Sequence, residues 1–437
     1  MTERGGQTWA GTDVWGRSRD PDGLHLAPFR GIRFDESRVD DLASLTAPPY
    51  DVIGADVARA LEAADPHNVV RLILPEDDPD SPQGRYDRAA RTLKAWRDEK
   101  VLITDDDPAL YVYEQSSATA VQRGLIGAVG LRPHEDGVIL AHEDTMPGPV
   151  ADRLRLMSAT RANLEPIFLL YHGGGPTSDL IEKVVVTEPL ASAATDDGVT
   201  HRLWRMSDPA LVRTVNEDLA PKQALIADGH HRYATYLRMQ AQARAAGRGA
   251  GPWDVGLALL VDVEAYPPVV SAIHRVVHGL SLPEALRRMG PSFEAEPVPD
   301  VAEGRGRLAR RAGDHAFLLV SGAECVLLHT PDPGLLTRTL PTGPSDAWRS
   351  LDATVLHSTL FELWGLADDE STVTYHHAAE SALRAAATGE HTAVLLNPVG
   401  VGDVLAVTAA GDRMPRKSTS FGPKPRTGFV LRHLEID

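Results

Sequence analysis

One stretch of this 437-residue chain constrains its fold more than any other, because it specifies three structural elements in a row. The apolar residues 224–227 predict a short buried strand, and Asp228 with Gly229 predicts a tight turn. The residues that follow are rich in Ala, Leu, Arg and Gln up to Ala246, which predicts a helix. The sequence therefore predicts a strand, a sharp turn and a helix N-terminus.

The polar residues of this turn are suited to binding an anion. The first N–H groups of a helix lack backbone partners, and the helix dipole makes this end positive. Gly229 lets the backbone approach a ligand closely, and Arg232 can donate two hydrogen bonds to a phosphate or carboxylate. His230 and His231 can titrate near neutral pH or bind a metal. A structural interpretation stays open, in which Asp228 caps the helix, Gly229 makes the turn and Arg232 lies in solvent.

The composition excludes several classes of protein and of site. The formal net charge is −17, so we do not expect nucleic acid or an anionic membrane as a partner. Cys325 is the single cysteine, which excludes an intramolecular disulfide and a thiolate zinc site; it is predicted to pack in a sheet. The chain shows no signal-like start and no membrane-spanning run, so a cytoplasmic location is expected. The oligomeric state stays open.

Helical and extended patterns alternate along the chain and predict an α+β (mixed α/β) fold, with mixed sheets and flanking helices. We predict four regions: a flexible arm over 1–25, a main α/β domain over 26–280, a C-terminal α/β region over 281–413, and a basic tail loop over 414–437 that returns to the site.

Several predicted elements are needed below. The predicted strands include 69–74 and Ile167–Tyr171, and the predicted helices include 85–99, 150–159 and 352–363. Two antiparallel pairs are predicted, the first formed by 110–115 with 124–131 and the second by 255–261 with 269–277.

Common catalytic signatures are missing from the sequence. It has no Gly-rich loop ending in Gly-Lys-Ser/Thr and no His-Glu-X-X-His. The His-Gly-Gly-Gly run at 172–175 is similar to the oxyanion loop of esterases, but no Gly-X-Ser-X-Gly supplies their nucleophile. We therefore interpret this run as a flexible loop.

The segment 414–428 is basic and rich in hydroxyl groups, which is unusual in an acidic chain. It carries Lys417, Ser418, Thr419 and Lys424, and such a segment suits recognition of phosphate or carboxylate groups. A solvated basic terminus is the competing interpretation.

Several motifs together resemble the domain of unknown function 1015 family. They occur in the family's order from about Pro28 to the C-terminus, and they are Pro28-Phe29-Arg30-Gly31, Ala47-Pro48-Pro49-Tyr50-Asp51-Val52-Ile53, His142-Glu143-X-Thr145, Ile167-Phe168-Leu169-Leu170-Tyr171, Ala227-Asp228-Gly229-His230-His231-Arg232 and Met414-Pro415-X-Lys417-Ser418-Thr419. The resemblance implies no reaction, since the family has none assigned.

The Asp-Gly-His-His-Arg turn also resembles the phosphate-binding turn of the superfamily that includes partition protein ParB, sulfiredoxin and the free-serine kinases. On that resemblance, Gly229 and His230 would offer backbone N–H groups to a nucleotide phosphate, and Arg232 would clamp a phosphoryl group. His231 would be a further phosphate contact or an acid. The motif comes late in this chain, and no cysteine lies nearby, which excludes sulfiredoxin-type thiol chemistry.

The leading hypothesis is phosphoryl transfer on a small phosphorylated metabolite, by a serine/phosphoserine-type kinase or phosphatase that uses Mg²⁺ and a nucleotide. Glu143 or Asp228 would be the base or a metal ligand, and His230 or His231 the acid. The predicted substrate- and phosphate-binding residues are Gly229, Arg232, Arg30, Tyr50, Asp51, His142, Thr145, Lys417, Ser418, Thr419 and Lys424.

Two other hypotheses stay open. A metal-dependent hydrolase would take its ligands from His142, the two turn histidines and, as first candidates, Glu143, Asp228 and His231. A nucleotide-responsive binding or regulatory module, similar to ParB, would bind nucleotide without turnover.

Overall fold

The computed structural model shows two compact units and describes residues 23–76, 84–367 and 371–435. The first unit contains the described residues up to Ala141, residues 145–267 and the C-terminal residues from Pro423. The second unit contains residues 142–144 and 268–422. The described C-terminal residues 423–435 are therefore part of the first unit.

Compact units are defined by packing and do not show which segments fold alone. The predicted limits of 26–280, 281–413 and 414–437 therefore stay predictions. The predicted arm, apart from residues 23–25, lies outside the described residues.

No helix among the described residues has both the length and the apolar character needed to span a bilayer.

The described part of the first unit is built on a nine-stranded mixed sheet. In spatial order, its strands are Ile139–Leu140, Ala224–Asp228, Ile167–Tyr171, Val255–Asp262, Val121–Gly130, Leu110–Ser116, Thr200–Met206 and Ala191–Ala194, with Leu26–Ala27 paired to Val121–Gly130. Two short antiparallel pairs lie outside this sheet, and they are Ile32–Phe34 with Leu102–Thr104 and Ala162–Asn163 with Arg432–His433.

Strand direction decides which groups meet at each edge of this sheet. Ile167–Tyr171 runs antiparallel to Ala224–Asp228 and parallel to Val255–Asp262. Asp228, at the end of its strand, consequently pairs with Phe168 near the start of the neighbouring strand. Asp262, at the end of the strand Val255–Asp262, lies at the opposite edge of the sheet and pairs with Tyr171.

Helices cover the sheet and close the core. The α-helices of the first unit are Leu42–Leu45, Ala55–Ala64, Val70–Ile73, Gly84–Asp98, Pro147–Thr160, Pro176–Val184, Pro209–Leu219 and His230–Ala245. Tyr233 and Tyr236 from the last of these pack with the sheet residues Leu169 and Ile226 in one apolar cluster. Burial of this apolar surface is the main force that holds the unit together.

The second unit has a six-stranded antiparallel sheet, in the spatial order Glu294–Pro297, Glu324–His329, Phe317–Ser321, Thr392–Leu395, His274–Val277 and Val373–His376. Its α-helices are Leu282–Met289, Val301–Ala309, Pro333–Thr339, Asp346–Arg349, Asp352–Val355, Phe361–Trp364, Ala379–Ala385 and Val401–Ala409. A π-helical segment, Leu356–Leu360, joins two of them. Two apolar clusters fill the unit.

The structure confirms the predicted mixed α/β class with mixed sheets and flanking helices. The strand Ile167–Tyr171 has the predicted limits, and Leu110–Ser116 forms the predicted hairpin with Val121–Gly130. Cys325 is buried in a sheet strand, as predicted. The predicted helix 352–363 is continuous, but its middle is π-helical.

The predicted strand 69–74 is wrong, because Val70–Ile73 is a helical turn. A short buried apolar run does not by itself distinguish strand from helix. The fully buried Asn68 favours the helical turn, since its side chain accepts a hydrogen bond from the Val70 amide at the start of the turn and donates to the Ser44 carbonyl.

The predicted pairing of 255–261 with 269–277 is also wrong. Val255–Asp262 pairs inside the first unit, whereas Val269–Ser271 pairs with Ser420–Gly422 and His274–Val277 pairs with Val373–His376. Two consecutive prolines separate the runs, and they suit a break in the chain better than the glycine-rich turn of a tight hairpin.

Candidate functional site

The predicted strand, turn and helix are all present around Asp228. Ala224–Asp228 is buried throughout, and the helix His230–Ala245 begins directly after Gly229. Gly229 has a φ of +95°, in the left-handed region that favours glycine. A Cβ at this position would lie 3.0 Å from the Ile167 side chain. The turn therefore requires glycine for both its backbone conformation and its close packing.

Arg232 is 1% exposed and is held by protein groups on the first turn of this helix. Its Nη2 donates to Asp228 Oδ2 at 2.5 Å, and its Nη1 donates to the Pro166 carbonyl at 2.6 Å. Burial alone would lower the pKa of Arg232, but the Glu165 and Asp228 carboxylates outweigh it and raise the pKa. Arg232 therefore remains a buried cation that orients Asp228.

Lys424, from the C-terminal segment, connects the turn to the motif 47–53, which contains Asp51. Its Nζ lies 2.5 Å from Asp228 Oδ1 and 2.7 Å from Asp51 Oδ2. Burial would lower the pKa of Lys424, but these two carboxylates raise it. We call Asp51, Asp228, Arg232 and Lys424 the Asp228 cluster. Of the side chains of Asp51, Asp228 and Lys424, that of Asp51 is the most exposed, at 28%.

Glu165 fixes the position of the two chain segments that bring Asp51 and Lys424 together. Its Oε1 accepts hydrogen bonds from the Tyr50 amide at 3.0 Å and from Thr427 Oγ1 at 3.1 Å. Glu165 is 4% exposed, and burial raises its pKa, while Arg232 and other nearby donors oppose the shift. Glu165 was not among the predicted site residues, although a lone acidic residue beside an apolar strand was a usable signal.

Tyr50 supplies an aromatic surface between two buried cations. The guanidinium carbon of Arg153 lies 4.2 Å from the centre of the Tyr50 ring, and that of Arg232 lies 5.9 Å from it. Burial raises the pKa of Tyr50 to about 12, and the two arginines act against this rise. Tyr50 thus stays a neutral phenol and separates like charges.

The two histidines of the turn have different surroundings. His230 is 9% exposed and is the first residue of the helix. His231 Nε2 accepts a hydrogen bond from the Met146 amide at 3.1 Å. An accepting ring nitrogen carries no proton, so this contact favours the neutral imidazole protonated on Nδ1. His231 thereby links two helices, because Met146 directly precedes Pro147–Thr160.

Two other predicted residues of the first unit lie in loops. Arg30 Nε donates to the Asp105 carbonyl at 2.9 Å, and Thr145 is exposed. Their predicted role in substrate binding therefore rests on the sequence alone.

The second unit contains the other predicted residues. His142 Nε2 lies 2.8 Å from Thr419 Oγ1, and the same hydroxyl donates to Glu143 Oε1 at 3.3 Å. The Ser418 hydroxyl donates to the Pro415 carbonyl at 2.5 Å, and Lys417 has a φ of +55°. His142, Glu143 and Thr419 thus form a second polar group within the second unit.

The described residues contain no group of three or more His, Cys, Asp or Glu side chains that could hold a metal ion. Asp228, one of the predicted ligands, has each carboxylate oxygen engaged by a cation. The geometry therefore gives the metal-hydrolase hypothesis no specific support.

Comparisons with solved structures give matches of low identity. A free serine kinase variant in complex with ADP is 14% identical, with 73% of this chain and 95% of that chain covered and a TM-score of 0.38. SbnI with a C-terminal truncation, from Staphylococcus aureus, is 12% identical, with 71% and 90% covered and a TM-score of 0.37. A conserved hypothetical protein from Pyrococcus furiosus is 13% identical, with 69% and 94% covered and a TM-score of 0.35.

No curated protein matches the chain. A family model described as protein of unknown function (DUF1015) matches residues 26–354, which is most of the sequence and includes the Asp228 turn. The resemblance noted in the sequence motifs is thereby confirmed. The chain belongs to the DUF1015 family.

Proposed function

We propose that the Asp228 cluster transfers a phosphoryl group between a nucleotide and a hydroxyl group of a small metabolite. One observation carries the proposal: a half-buried lysine, Lys424, bridges two carboxylates beside the N-terminus of a long helix. Phosphoryl transfer requires cations to neutralise the phosphoryl oxygens and a carboxylate to receive the hydroxyl proton. The cluster contains both kinds of group within one unit.

Lys424 and the first amides of the helix would bind the phosphoryl oxygens. The raised pKa of Lys424 keeps its ammonium group charged. The helix begins at His230, and its first N–H groups lack intrahelical partners, so they favour an anion.

Asp51 is the better candidate for the proton acceptor. Arg232 holds one oxygen of Asp228, whereas Asp51 is more exposed and lies on the 3₁₀ turn Tyr50–Val52. In the proposed step the substrate oxygen forms a bond to phosphorus, and its proton passes to Asp51. The bond to the leaving oxygen breaks, and the leaving nucleoside diphosphate keeps that electron pair. Mg²⁺ bound with the nucleotide would supply further neutralisation of the phosphoryl oxygens.

Arg232 is assigned a positioning role instead of the clamp that the sequence predicted. Its two terminal nitrogens already donate to Asp228 and to a carbonyl, and it is almost fully buried. Its removal would displace Asp228 and, through it, Lys424.

The test is a turnover assay followed by phosphorus NMR, with Mg²⁺ and ATP or ADP. The panel contains serine, phosphoserine and other small hydroxyl and phosphate compounds, so that a phosphatase is detected as well as a kinase. Lys424→Met should lower turnover about 100-fold or more, because it removes a cation from the transition state.

Lys222→Met is the matched control. Lys222 has a similarly covered side chain, at 18% against 14% exposed, and also pairs with a carboxylate, Asp218 at 3.2 Å. It should keep wild-type turnover. Full activity of a folded Lys424→Met variant, or no product from the wild type across the panel, would overturn the proposal.

A further inference from the structure

One edge of the six-stranded sheet in the second unit carries titratable side chains that the proposed function does not use. Among the described strands, Val373–His376 is the last in the spatial order and pairs only with His274–Val277. Four histidines lie in or next to the last three strands of this sheet, and they are His274, His278, His376 and His391. We call these four residues the histidine group.

A single hydroxyl group joins two of these histidines. Thr374 Oγ1 lies 3.0 Å from His278 Nε2 and 3.1 Å from His376 Nε2. A hydroxyl has one proton, so it donates to one neutral ring and accepts from the other, which carries its proton on Nε2. When both rings are protonated, both must donate to Oγ1, and the hydroxyl proton loses its partner. The contact is therefore suited to at least one neutral imidazole.

The same rings contact other groups through their remaining atoms. His376 Nδ1 lies 2.9 Å from Ser381 Oγ. The Gly279 amide donates to His391 Nδ1 at 3.1 Å, which places the proton of neutral His391 on Nε2. The His278 and His391 rings meet edge to face, with their centres 4.9 Å apart. A positive charge on one of these rings would thus lie directly beside the other.

The charged groups around the histidine group are engaged elsewhere or exposed. Glu380, on the helix packed against these strands, pairs with Arg305 at 3.1 Å. Arg275 and Tyr375 point to the opposite face of the sheet, since side chains alternate along a strand, and the guanidinium carbon of Arg275 lies 5.1 Å from the centre of the Tyr375 ring. The other charged or titratable residues of these elements are exposed, and they are His377, Arg384 and Glu390.

The surroundings favour the neutral rings. Burial lowers the pKa of His278 and of His376, and in each case a neighbouring histidine lowers it further. Burial also lowers the pKa of His274 to about 4, with Arg305 and Arg275 acting in the same direction and Glu380 opposing them. The neutral rings therefore stabilise the folded edge above the ordinary histidine pKa of about 6.5. As the pH falls below that value, a released strand takes up protons that the folded strand does not, and the stabilisation is lost.

We propose that the histidine group is an acid-sensitive latch, which holds the edge strand Val373–His376 in the sheet at neutral pH and releases it in mild acid. Protonation disrupts the hydrogen bonds at Thr374 and places like charges side by side. An edge strand has a neighbour on one side only, so this strand has the least other pairing to retain it. The second unit would thereby respond to pH independently of the Asp228 cluster.

The test is hydrogen exchange of the full chain at pH 7.5 and 5.5, followed by mass spectrometry of peptides. Protection factors are compared, so that the intrinsic pH dependence of exchange is removed. Protection of the edge strand Val373–His376 should fall at least about tenfold at pH 5.5. Phe317–Ser321, an interior strand of the same sheet, should change by less than about threefold.

A double variant tests the histidines themselves. His278→Gln with His376→Gln keeps hydrogen-bonding groups but removes the protonation, so protection of the edge strand should stay within about threefold between the two pH values. His172→Gln is the control, because His172 is 68% exposed in the first unit, and this variant should respond like the wild type. NMR titration of the wild type gives a second readout, in which the midpoints of His278 and His376 should lie below about 6.5.

The proposal is overturned if the edge strand keeps its protection at pH 5.5, or if Phe317–Ser321 loses protection to the same extent. It is also overturned if the folded double variant loses as much protection as the wild type. Titration midpoints at or above about 6.5 contradict it whether or not the double variant folds.

Discussion

Two edges of the same sheet in the first unit each hold a carboxylate at the end of a buried strand, but the donors around the two groups differ. Asp228 is engaged by two cationic side chains, Arg232 and Lys424. Asp262 is surrounded by neutral groups: its Oδ1 accepts from the amides of Gly173 and Glu264, at 3.0 and 2.8 Å. Its Oδ2 accepts from the Gly174 amide at 3.1 Å and from the Ser178 hydroxyl at 2.6 Å.

The two carboxylates therefore differ in what surrounds them: Asp262 is bound by neutral donors of the chain itself, whereas Asp228 shares the cation Lys424 with a second carboxylate. A Cβ on Gly173 would lie 1.9 Å from Asp262, so the loop that is similar to an oxyanion loop is filled by the chain's own carboxylate. At the Asp228 edge the cation Lys424 is shared with the more exposed Asp51. An incoming phosphate can compete for Lys424, whereas backbone amides that already bind Asp262 offer nothing to a ligand.

The largest effect on stability is expected from Arg232→Met. It leaves Asp228 and Glu165 in a buried setting without the cation that faces both, and it should lower the free energy of unfolding by about 3–5 kcal/mol. Urea unfolding measures the change. Arg244→Met, on the same helix, removes an exposed pair with Asp254 and should stay within about 1 kcal/mol. Equal losses of unfolding free energy in Arg232→Met and Arg244→Met would show that Arg232 does not position Asp228.

The next effect is expected from Asp262→Asn, which replaces one acceptor oxygen by an NH₂ group facing two donors. We expect a loss of about 2–3 kcal/mol near pH 7 with turnover unchanged. The control is Asp179→Asn, an exposed site on the adjoining helix, which should change stability by less than about 0.5 kcal/mol. A loss of turnover in Asp262→Asn would show that the Asp262 edge also contributes to the reaction, which would contradict the distinction between the two edges.

The pH dependence of the same variant sharpens the comparison. Burial raises the pKa of Asp262, but hydrogen bonds from Ser178 and from backbone amides outweigh it and hold the pKa below its usual range. The charged form therefore stabilises the fold above about pH 4, and this stabilisation is lost as the pH falls through the folded-state pKa. The stability gap between wild type and Asp262→Asn should narrow in acid. A gap that is constant with pH would contradict this assignment.

The smallest of these effects is expected from Gly229→Ala. The left-handed φ of +95° and the 3.0 Å approach to Ile167 should together lower the free energy of unfolding by about 1–3 kcal/mol. Gly198→Ala shares a positive φ of +78°, but its Cβ meets no atom within 4 Å, so it measures the backbone effect alone. If the two variants lose the same stability, the close packing of the turn contributes nothing.

The sequence predicted the parts of this site that depend on local pattern. The apolar run 224–227 and the composition after Gly229 predicted the strand and the helix that are present. Asp51 was singled out as part of the motif 47–53, and Lys424 as part of the basic, hydroxyl-rich segment 414–428. It could not show that Lys424 bridges Asp51 and Asp228, because the three residues are far apart in the chain. That contact depends on how the C-terminal segment returns to the first unit.

Roles that depend on burial were harder to predict. Arg232 has the residue type of a phosphate clamp, yet its side chain points into the protein, where its terminal nitrogens donate to Asp228 and to the Pro166 carbonyl. Glu165 and Asp262 are single acids next to apolar runs, and only the packed structure shows which donors surround them. The pairing of Val269–Ser271 with a strand about 150 residues later likewise leaves no local signal.

The central claim is that the Asp228 edge binds phosphate and the Asp262 edge does not, and lysine NMR tests it most directly. The chain has only six lysines, so ¹³C labels on their ε-carbons give a resolvable spectrum, with Lys424 and Lys222 assigned from Lys→Met variants. Lys222 reports on the Asp262 edge, because its Nζ donates to the carbonyl of Gly173 at 3.4 Å. On titration with ATP and Mg²⁺, the Lys424 signal should shift with saturation, while the Lys222 signal stays in place. An unmoved Lys424 signal, or a Lys222 signal that shifts equally, would contradict the account.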